Sequence, residues 1–454
     1  MLRRLVLENF KAWKEVDVSF RPITLIYGAN SSGKSSLLQF LLLLKQTKDS
    51  NDPLVALDFS GALTDLGSFR DAVFQHDDTN MLTWDMTWSL PKVLNINDPA
   101  KTKPTRLFSG EDLTISVEVA AKRRQVETQY MAYRFGKASF LISRKEEKSR
   151  YQLDTHDTDF RFVRTLGRAW DLPEPTKGYS YPDQAQTYFQ NAQFLRIFES
   201  SYVEQIDNLL YLGPLREDPQ RQYTWSGSNP SDVGPRGERT VEAILAADER
   251  GEKRNVRKRQ KLMGFQETIA WWLRELGLIE SFQVRELSEG SGLFRVFVKK
   301  TAASSEAALT DVGFGVSQIL PVLTLLYYAP EGSSILMEQP EIHLHPAVQA
   351  GLADLFISVA KVRKLQLIVE SHSEHLLTRM MRRIAERDTA YGNVSNDDVA
   401  VYFADNREGR SNLDNLRLNS DGVIENWPKD FFGDQFGEII ARETAVIKRR
   451  REEA

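Results

Sequence analysis

The chain has 454 residues, more than one hydrophobic core usually organises, because cores stop growing at roughly 250–300 residues and longer chains split or carry insertions. Its 41% hydrophobic and 27% charged residues exclude global disorder, and 59 basic against 63 acidic residues exclude an overall polycation for holding nucleic acid. The absence of cysteine excludes disulfides, thiolate metal sites and a thiol nucleophile.

The opening MLRRLVLENF lacks the apolar run and cleavage site of an export signal, and no stretch of about 18 apolar residues occurs, so a cytoplasmic protein off the membrane is expected. Residues 2–27 alternate apolar and polar positions in two strand-like runs, ending in ITLIY. After Gly33, SSLLQFLLLLKQ is unbranched and leucine-rich, which predicts a buried helix. Short β-like runs such as LTISVEV and YMAYRFGKASFLISR occupy about 82–165, and 183–212 is helical in pattern. The stretch 222–239 is rich in Gly, Ser and Pro and predicts loop. Residues 249–261 hold seven Lys or Arg against two Glu, read either as a solvated helix face or as a contact for the phosphates of DNA or RNA. From 306 onward helix and strand alternate: a helix after Ser317, strand SSILM, helix 346–360, strand LQLIV, helix 374–387 and strand VAVYFA. This rhythm predicts a mostly parallel sheet covered by helices. The expected division is a first lobe over 1–90, an α+β insertion over 91–305, a second lobe over 306–405, and a small C-terminal domain over 406–454.

GANSSGKS, from Gly28 through Ala29, Asn30, Ser31, Ser32, Gly33, Lys34 and Ser35, satisfies G-x-x-x-x-G-K-[ST] between a predicted strand and a predicted helix. The glycines let backbone amides face a phosphate, and the helix N-terminus adds partial positive charge. Lys34 is expected to reach the β- and γ-phosphates of ATP, and the Ser35 hydroxyl to ligate Mg²⁺, with Ser36 completing the nucleotide-binding set. Glu338, ending the strand SSILME, is the expected carboxylate for that Mg²⁺, because ligands of α/β sheets gather at the carboxyl ends of strands. His372, in ESHSEH, could bond the γ-phosphate or the attacking water. Four of the six histidines fall at 343, 345, 372 and 375, so a zinc site is an alternative, as is an Mg²⁺-dependent nuclease built on Glu338, Glu341 and Glu370.

LENFKAW, ITLIYGANSSGKSSLLQ, DVGFGVSQILPVL, ILMEQPEIHLHP and LIVESHSEHLL together resemble the ABC-type ATPases of the RecF, SMC and overcoming-lysogenization-defect group, closest to the AAA15/AAA21 ATPases of phage-defence operons. GVIENWPKDFFGDQF is similar to a small C-terminal domain of unknown function that follows many such heads. The resemblance implies a P-loop NTPase fold, an ABC ATPase head with a mixed, mostly parallel sheet and a large α+β insertion between its lobes. It implies that Gly313, Gly315, Ser317 and Gln318 form a signature that meets the phosphate held by a second copy. It places His345 in the dimer-crossing loop and His372 at the switch position. The implied assembly is a homodimer or higher homo-oligomer, with an effector nuclease or toxin on another chain. Arg216 and Arg221 could sense nucleotide or join subunits.

Gln339 follows the Walker B acid, where related heads carry Glu to accept a proton from water. Gln orients water but accepts no proton. Either Glu341 serves as base beside Gln339, or hydrolysis is slow and ATP chiefly locks a conformation, or a partner is needed. Slow hydrolysis is the expectation, since losing a general base removes about 10²- to 10⁴-fold of rate. The chain is thus expected to be a slow ATPase acting as sensor or scaffold in defence or DNA maintenance. The rival reading is a metal-dependent nuclease regulated by nucleotide.

Overall fold

The computed structural model describes residues 1–97, 105–123, 125–145, 150–167, 171–257, 261–428, 431 and 449. Part of the basic run, 258–260, and most of the expected C-terminal domain beyond 428 lie outside the described residues.

A six-stranded sheet carries the site. In spatial order its strands are Arg410–Leu416, Val399–Arg407, Ile23–Gly28, Gln366–Glu370, Ser334–Glu338 and Leu209–Leu212. All are parallel except the Arg410–Leu416 edge. Ser334–Glu338 and Gln366–Glu370 are buried throughout, which is why they read as unbroken apolar runs rather than as alternation. Successive side chains feed opposite cores: Ile23, Leu25 and Tyr27 join one, Ile26 the other.

The first core holds the helices Thr240–Glu249, Phe265–Glu275, Phe314–Tyr328, Pro346–Val362 and Glu374–Glu386. The second packs helix Lys34–Asp49 between the parallel sheet and a seven-stranded antiparallel sheet. That second sheet runs Trp13–Ser19, Leu2–Phe10, Leu82–Asn97, Arg106–Lys122, Gln125–Phe135, Ala138–Arg144 and Tyr151–His156. Its inner face is aromatic, with Phe140 fully buried and in ring contact with Phe108, Phe160, Phe194 and Phe198.

The division expected from the sequence is redrawn by these pairings. Strand Leu82–Asn97 crosses the 90/91 boundary and pairs with Leu2–Phe10, so the β-rich part of the insertion extends the N-terminal hairpin. Residues 209–212, expected as the end of a helix, are a strand whose Leu209 and Leu212 fill the edge of the parallel sheet. Strand Arg410–Leu416 likewise crosses the 405/406 boundary into that sheet.

The basic run is not one helix. Helix Thr240–Glu249 ends at its first residue, and Lys253–Arg254 pairs with Met263–Gly264. Arg250 lies over Tyr328, Arg254 over Phe265, and Arg257 between the Trp271 and Tyr391 rings. Cation–π packing of this kind needs close aromatic partners, which here come both from the next helix, Phe265 and Trp271, and from distant parts of the chain, Tyr328 and Tyr391. Residues 250–257 therefore present few free cations to a phosphate backbone.

Candidate functional site

The loop after strand Ile23–Gly28 turns into helix Lys34–Asp49 through two glycines at positive φ, where any side chain would be strained. Gly28 has φ 144°, and a Cβ there would meet the Ala404 carbonyl oxygen at 2.1 Å. Gly33 caps the helix at φ 93°, where a Cβ would sit 2.6 Å from Ser411 Oγ. The Trp13 indole donates to Ser36 Oγ at 2.9 Å, and Ser36 Oγ donates to Gly33 O at 2.6 Å. The antiparallel sheet thus braces the loop, and Ser36 is occupied in doing so.

A cavity of about 660 Å³ opens over this loop, within the size range of ligand sites. Asn30 through Ser36 line it together with Lys11, Gln75, His76, Gln339, Glu370 and His372. Lys34 Nζ donates to Gly28 O at 3.1 Å and Ala29 O at 2.7 Å, and lies 3.8 Å from Glu370 Oε1. Burial holds its pKa below the usual lysine value, against the pull of Glu370. Ser35 Oγ donates to Glu370 Oε2 at 2.8 Å. Ser32 Oγ is buried without a hydrogen-bond partner. A helix N-terminus, a lysine, a ligating hydroxyl and an unsatisfied buried hydroxyl are the groups a nucleotide triphosphate with Mg²⁺ would use, so the residues fit both. Lys34 and the loop amides would hold the phosphates and Ser35 the metal, which would offset phosphate charge.

The carboxylates are arranged less simply than their spacing suggests. Parallel pairing aligns Glu338 with Glu370 and Glu370 with Ile26, so the Glu370 strand lies between Glu338 and the phosphate loop. Glu338, expected at Ser35, instead accepts from the Tyr211 hydroxyl at 2.8 Å and is not among the cavity-lining residues. Burial pushes its pKa up to about 7, with Glu370 adding to the rise and Tyr211 and Arg216 opposing it. Arg216 is buried, with Nη2 3.5 Å from the Glu338 carbonyl oxygen and with Nε and Nη1 unpartnered. Burial lowers its pKa to about 10. Arg221 makes an exposed ion pair with Asp311 at 2.9 Å.

Gln339 stands at φ 44° and faces the cavity, with its amide N–H donating to Glu370 O at 2.8 Å. Glu341 is buried away from the cavity. It accepts from Ser371 Oγ at 2.8 Å and from the His372 amide at 2.6 Å, so its carboxylate organises the turn that presents His372. Burial raises its pKa. Burial, then Lys34, lowers that of His372.

The expected signature lies elsewhere on the molecule. Gly313 caps helix Phe314–Tyr328, Phe314 is 67% exposed, and Ser317 and Gln318 are buried, with Ser317 Oγ donating to Phe314 O at 2.8 Å. None of these lines the cavity. Beside them, the Phe314 and His343 rings stand 6.4 Å apart, and exposed His345 caps helix Pro346–Val362 through Nδ1. No three His, Asp or Glu side chains converge as a metal-holding group among the described residues, and the four clustered histidines are not brought together as a zinc set. Nor, among those residues, is any helix long and apolar enough to cross a membrane.

The cavity contributions of Lys11, Gln75 and His76 have no signal in the sequence. Tyr211 was hidden in a segment of helical pattern. Glu370 appeared there only as part of the nuclease alternative.

Comparison with known proteins agrees with this P-loop ATPase architecture. A family model described as an AAA ATPase domain (AAA_15) matches residues 1–158 and 248–377, more than half of the chain. The chain belongs to that ATPase family, the AAA15 group that the motifs resemble. A second model, a protein of unknown function (DUF3696), matches residues 394–440. No curated protein gives a significant match. Among solved structures, the SmcHead bound to the C-winged helix domain of ScpA is similar at 13% identity, covering 92% of this chain and 98% of that one, with a TM-score of 0.43. The SMC head domain from Thermotoga maritima has 11% identity, 92% and 99% coverage, and a TM-score of 0.41. The Smc head domain with an extended coiled coil, bound to the C-terminal domain of ScpA derived from Pyrococcus furiosus, has 12% identity, 92% and 96% coverage, and a TM-score of 0.41.

Proposed function

We propose that this chain is an ATP-driven switch: a head that binds MgATP at the Gly28–Ser35 loop, closes on a second copy, and hydrolyses slowly. The observation that carries the reading is the separation within one chain of the phosphate loop from the Gly313–Gln318 helix start, whose N-terminus faces outward and lines no part of the chain's own cavity. A helix N-terminus attracts anions, and a two-fold, self-complementary pairing would bring that end of each copy to the nucleotide on the other. His345 lies on the same exposed surface.

Two placements support slow turnover. Gln339 faces the cavity and can orient water but takes no proton, while Glu341 does not line the cavity and has Oε1 engaged by Ser371 and the His372 amide, with Oε2 buried and unpartnered. His372, in the same cavity, is placed to contact phosphate or water. Following the motif resemblance, closure would signal to an effector on another chain in a defence or DNA-maintenance system.

Two measurements test the reading. Light scattering should show the mass doubling on addition of MgATP to Gln339→Ala protein, and a mass that stays monomeric at saturating nucleotide removes the switch. In single-turnover phosphate release, Gln339→Glu should accelerate the wild-type rate and Glu341→Gln should leave it within a few fold. The opposite pattern makes Glu341 the base.

A further inference from the structure

We propose that a second cavity, beside the antiparallel sheet, binds an organic cation with an apolar body, its ammonium or guanidinium group held at Glu174, and that occupancy tightens nucleotide binding through residues 67–76. The cation site stands without the nucleotide-binding reading above, and the coupling rests on it.

This cavity measures about 640 Å³, within the size range of ligand sites. Leu57, Phe59 and Phe69 give it an apolar floor, the two phenyl rings meeting edge to face at 6.0 Å. Two of the carboxylates that line it are sheltered from water, and they differ. Glu127 is paired with Lys122 and, at 3.1 Å, with Arg144. Glu174 is half-buried and accepts from the Thr128 amide at 2.7 Å, and no lysine or arginine lies within ion-pair distance of it among the described residues. Burial raises its pKa. A sheltered carboxylate without a cation costs free energy. Arg70 and Arg123 line the same cavity but are exposed, so water already solvates them and no anion is called for. The unmet charge is that of Glu174, and the floor suits hydrocarbon. Together they describe a ligand that is cationic at one end and apolar along the rest.

Chain continuity links this cavity to the one over the phosphate loop. Residues 67–70 line the first, and Asp71 with residues 73–76 line the second. A direct contact joins them: Arg70 Nε donates to His76 O at 3.2 Å, and His76 Nδ1 stands 3.1 Å from Arg70 O. Ala72 O accepts from the Lys11 amide at 2.7 Å, and Lys11 also lines the nucleotide cavity. Gln75 and His76 sit at φ 57° and 55°, a left-handed conformation that side-chain-bearing residues keep only where their surroundings hold them. A ligand packed on Phe69 supports the short helix Phe69–Ala72 and so holds Gln75 and His76 in the arrangement that faces the nucleotide. Linkage makes the effect reciprocal, so bound nucleotide tightens the cation by the same factor.

The test uses the full chain, with hexylammonium and phenethylammonium as probes and 3-phenylpropanol as the uncharged control. Ligand-observed NMR without nucleotide should show both ammonium probes binding more tightly than the alcohol. Glu174→Gln keeps an acceptor for the Thr128 amide and loses only the charge. It should weaken both ammonium probes about 10- to 100-fold, the worth of hydrogen bonds to a charged group, leave the alcohol unchanged, and melt no lower than wild type. If neither probe binds wild type at its highest soluble concentration, or if Glu174→Gln binds them equally well, the site is overturned. Crystals of wild-type protein soaked with phenethylammonium decide independently of any variant: its nitrogen at Glu174 supports the proposal, and density only elsewhere refutes it. Saturating hexylammonium should then raise the affinity for a fluorescent ATP analogue by about 5-fold or more, and Arg70→Ala should abolish that gain. Unchanged analogue affinity overturns the coupling. Because probe binding is read without nucleotide, a wild-type chain that binds no analogue sinks the nucleotide reading and the coupling with it, while the cation site is judged by its own titration.

Discussion

The antiparallel sheet and the carboxyl edge of the parallel sheet bury glutamates under opposite conditions. Glu127, 3% exposed, is paired with Lys122 and with Arg144 at 3.1 Å. Glu338, 8% exposed, has a tyrosine hydroxyl and, among the described residues, no lysine or arginine side chain within ion-pair distance. Arg216 nearby is buried with two nitrogens unpartnered, and Ser32 with its hydroxyl unpartnered. A buried charge or polar group without partners costs free energy. The antiparallel sheet therefore pairs its buried glutamate with cations, though Trp84 Nε1, Thr128 Oγ1 and Arg144 Nε are unpartnered there too, and it braces, through Trp13, a second region whose buried Glu338 has no such cation.

That contrast can be broken most forcefully in the brace. Phe140→Ala removes a fully buried ring from the aromatic cluster and should cost about 3–5 kcal/mol, read by urea denaturation, while the folded fraction keeps its nucleotide affinity. A parallel loss of affinity would mean that the two regions are not separable. Lys34→Ala should weaken nucleotide binding by about 1.5–3 kcal/mol, the worth of charge-assisted hydrogen bonds, and should also lower stability by the same denaturation, because it leaves buried Glu370 without its cation.

Next in size is a pH effect at Glu338. Its carboxyl is raised from 4.5 to about 7 in the folded chain, so between those values the folded state binds more protons than the unfolded one. Stability of nucleotide-free protein should fall as pH rises through that window and level off above it. Glu338→Gln should remove this slope and raise stability at pH 8 by about 1–3 kcal/mol, whereas Glu127→Gln, which strips two cations of their partner, should lower it. Melting curves from pH 5 to 8 distinguish the two. Smallest is Arg221→Ala, which breaks an exposed ion pair with Asp311 and should change stability by less than about 1 kcal/mol. A larger effect on ATP-dependent mass would move Arg221 to the subunit interface.

Much of this architecture was legible from local pattern. The phosphate loop is contiguous, its glycines are demanded by backbone angles, and the buried parallel strands announce themselves as apolar runs because both faces are covered. Chain order could not show that 82–97 belongs with residues 2–19, because antiparallel pairing is set by register between distant segments. It could not show that 209–212 is a strand either, since four apolar residues after a helix read as its continuation.

What the sequence determined by itself is therefore the chemistry available: a lysine and serine at a helix start, acids at strand ends, and a glutamine where a base is usual. The tertiary structure decided which of these meet. Strand order set Glu370 beside Ser35 and left Glu338 to Tyr211, and aromatic rings of other elements took up Arg250, Arg254 and Arg257. The physical reason is that a side chain's protonation and reach depend on its neighbours in space, and those are fixed only when strands pair and helices pack.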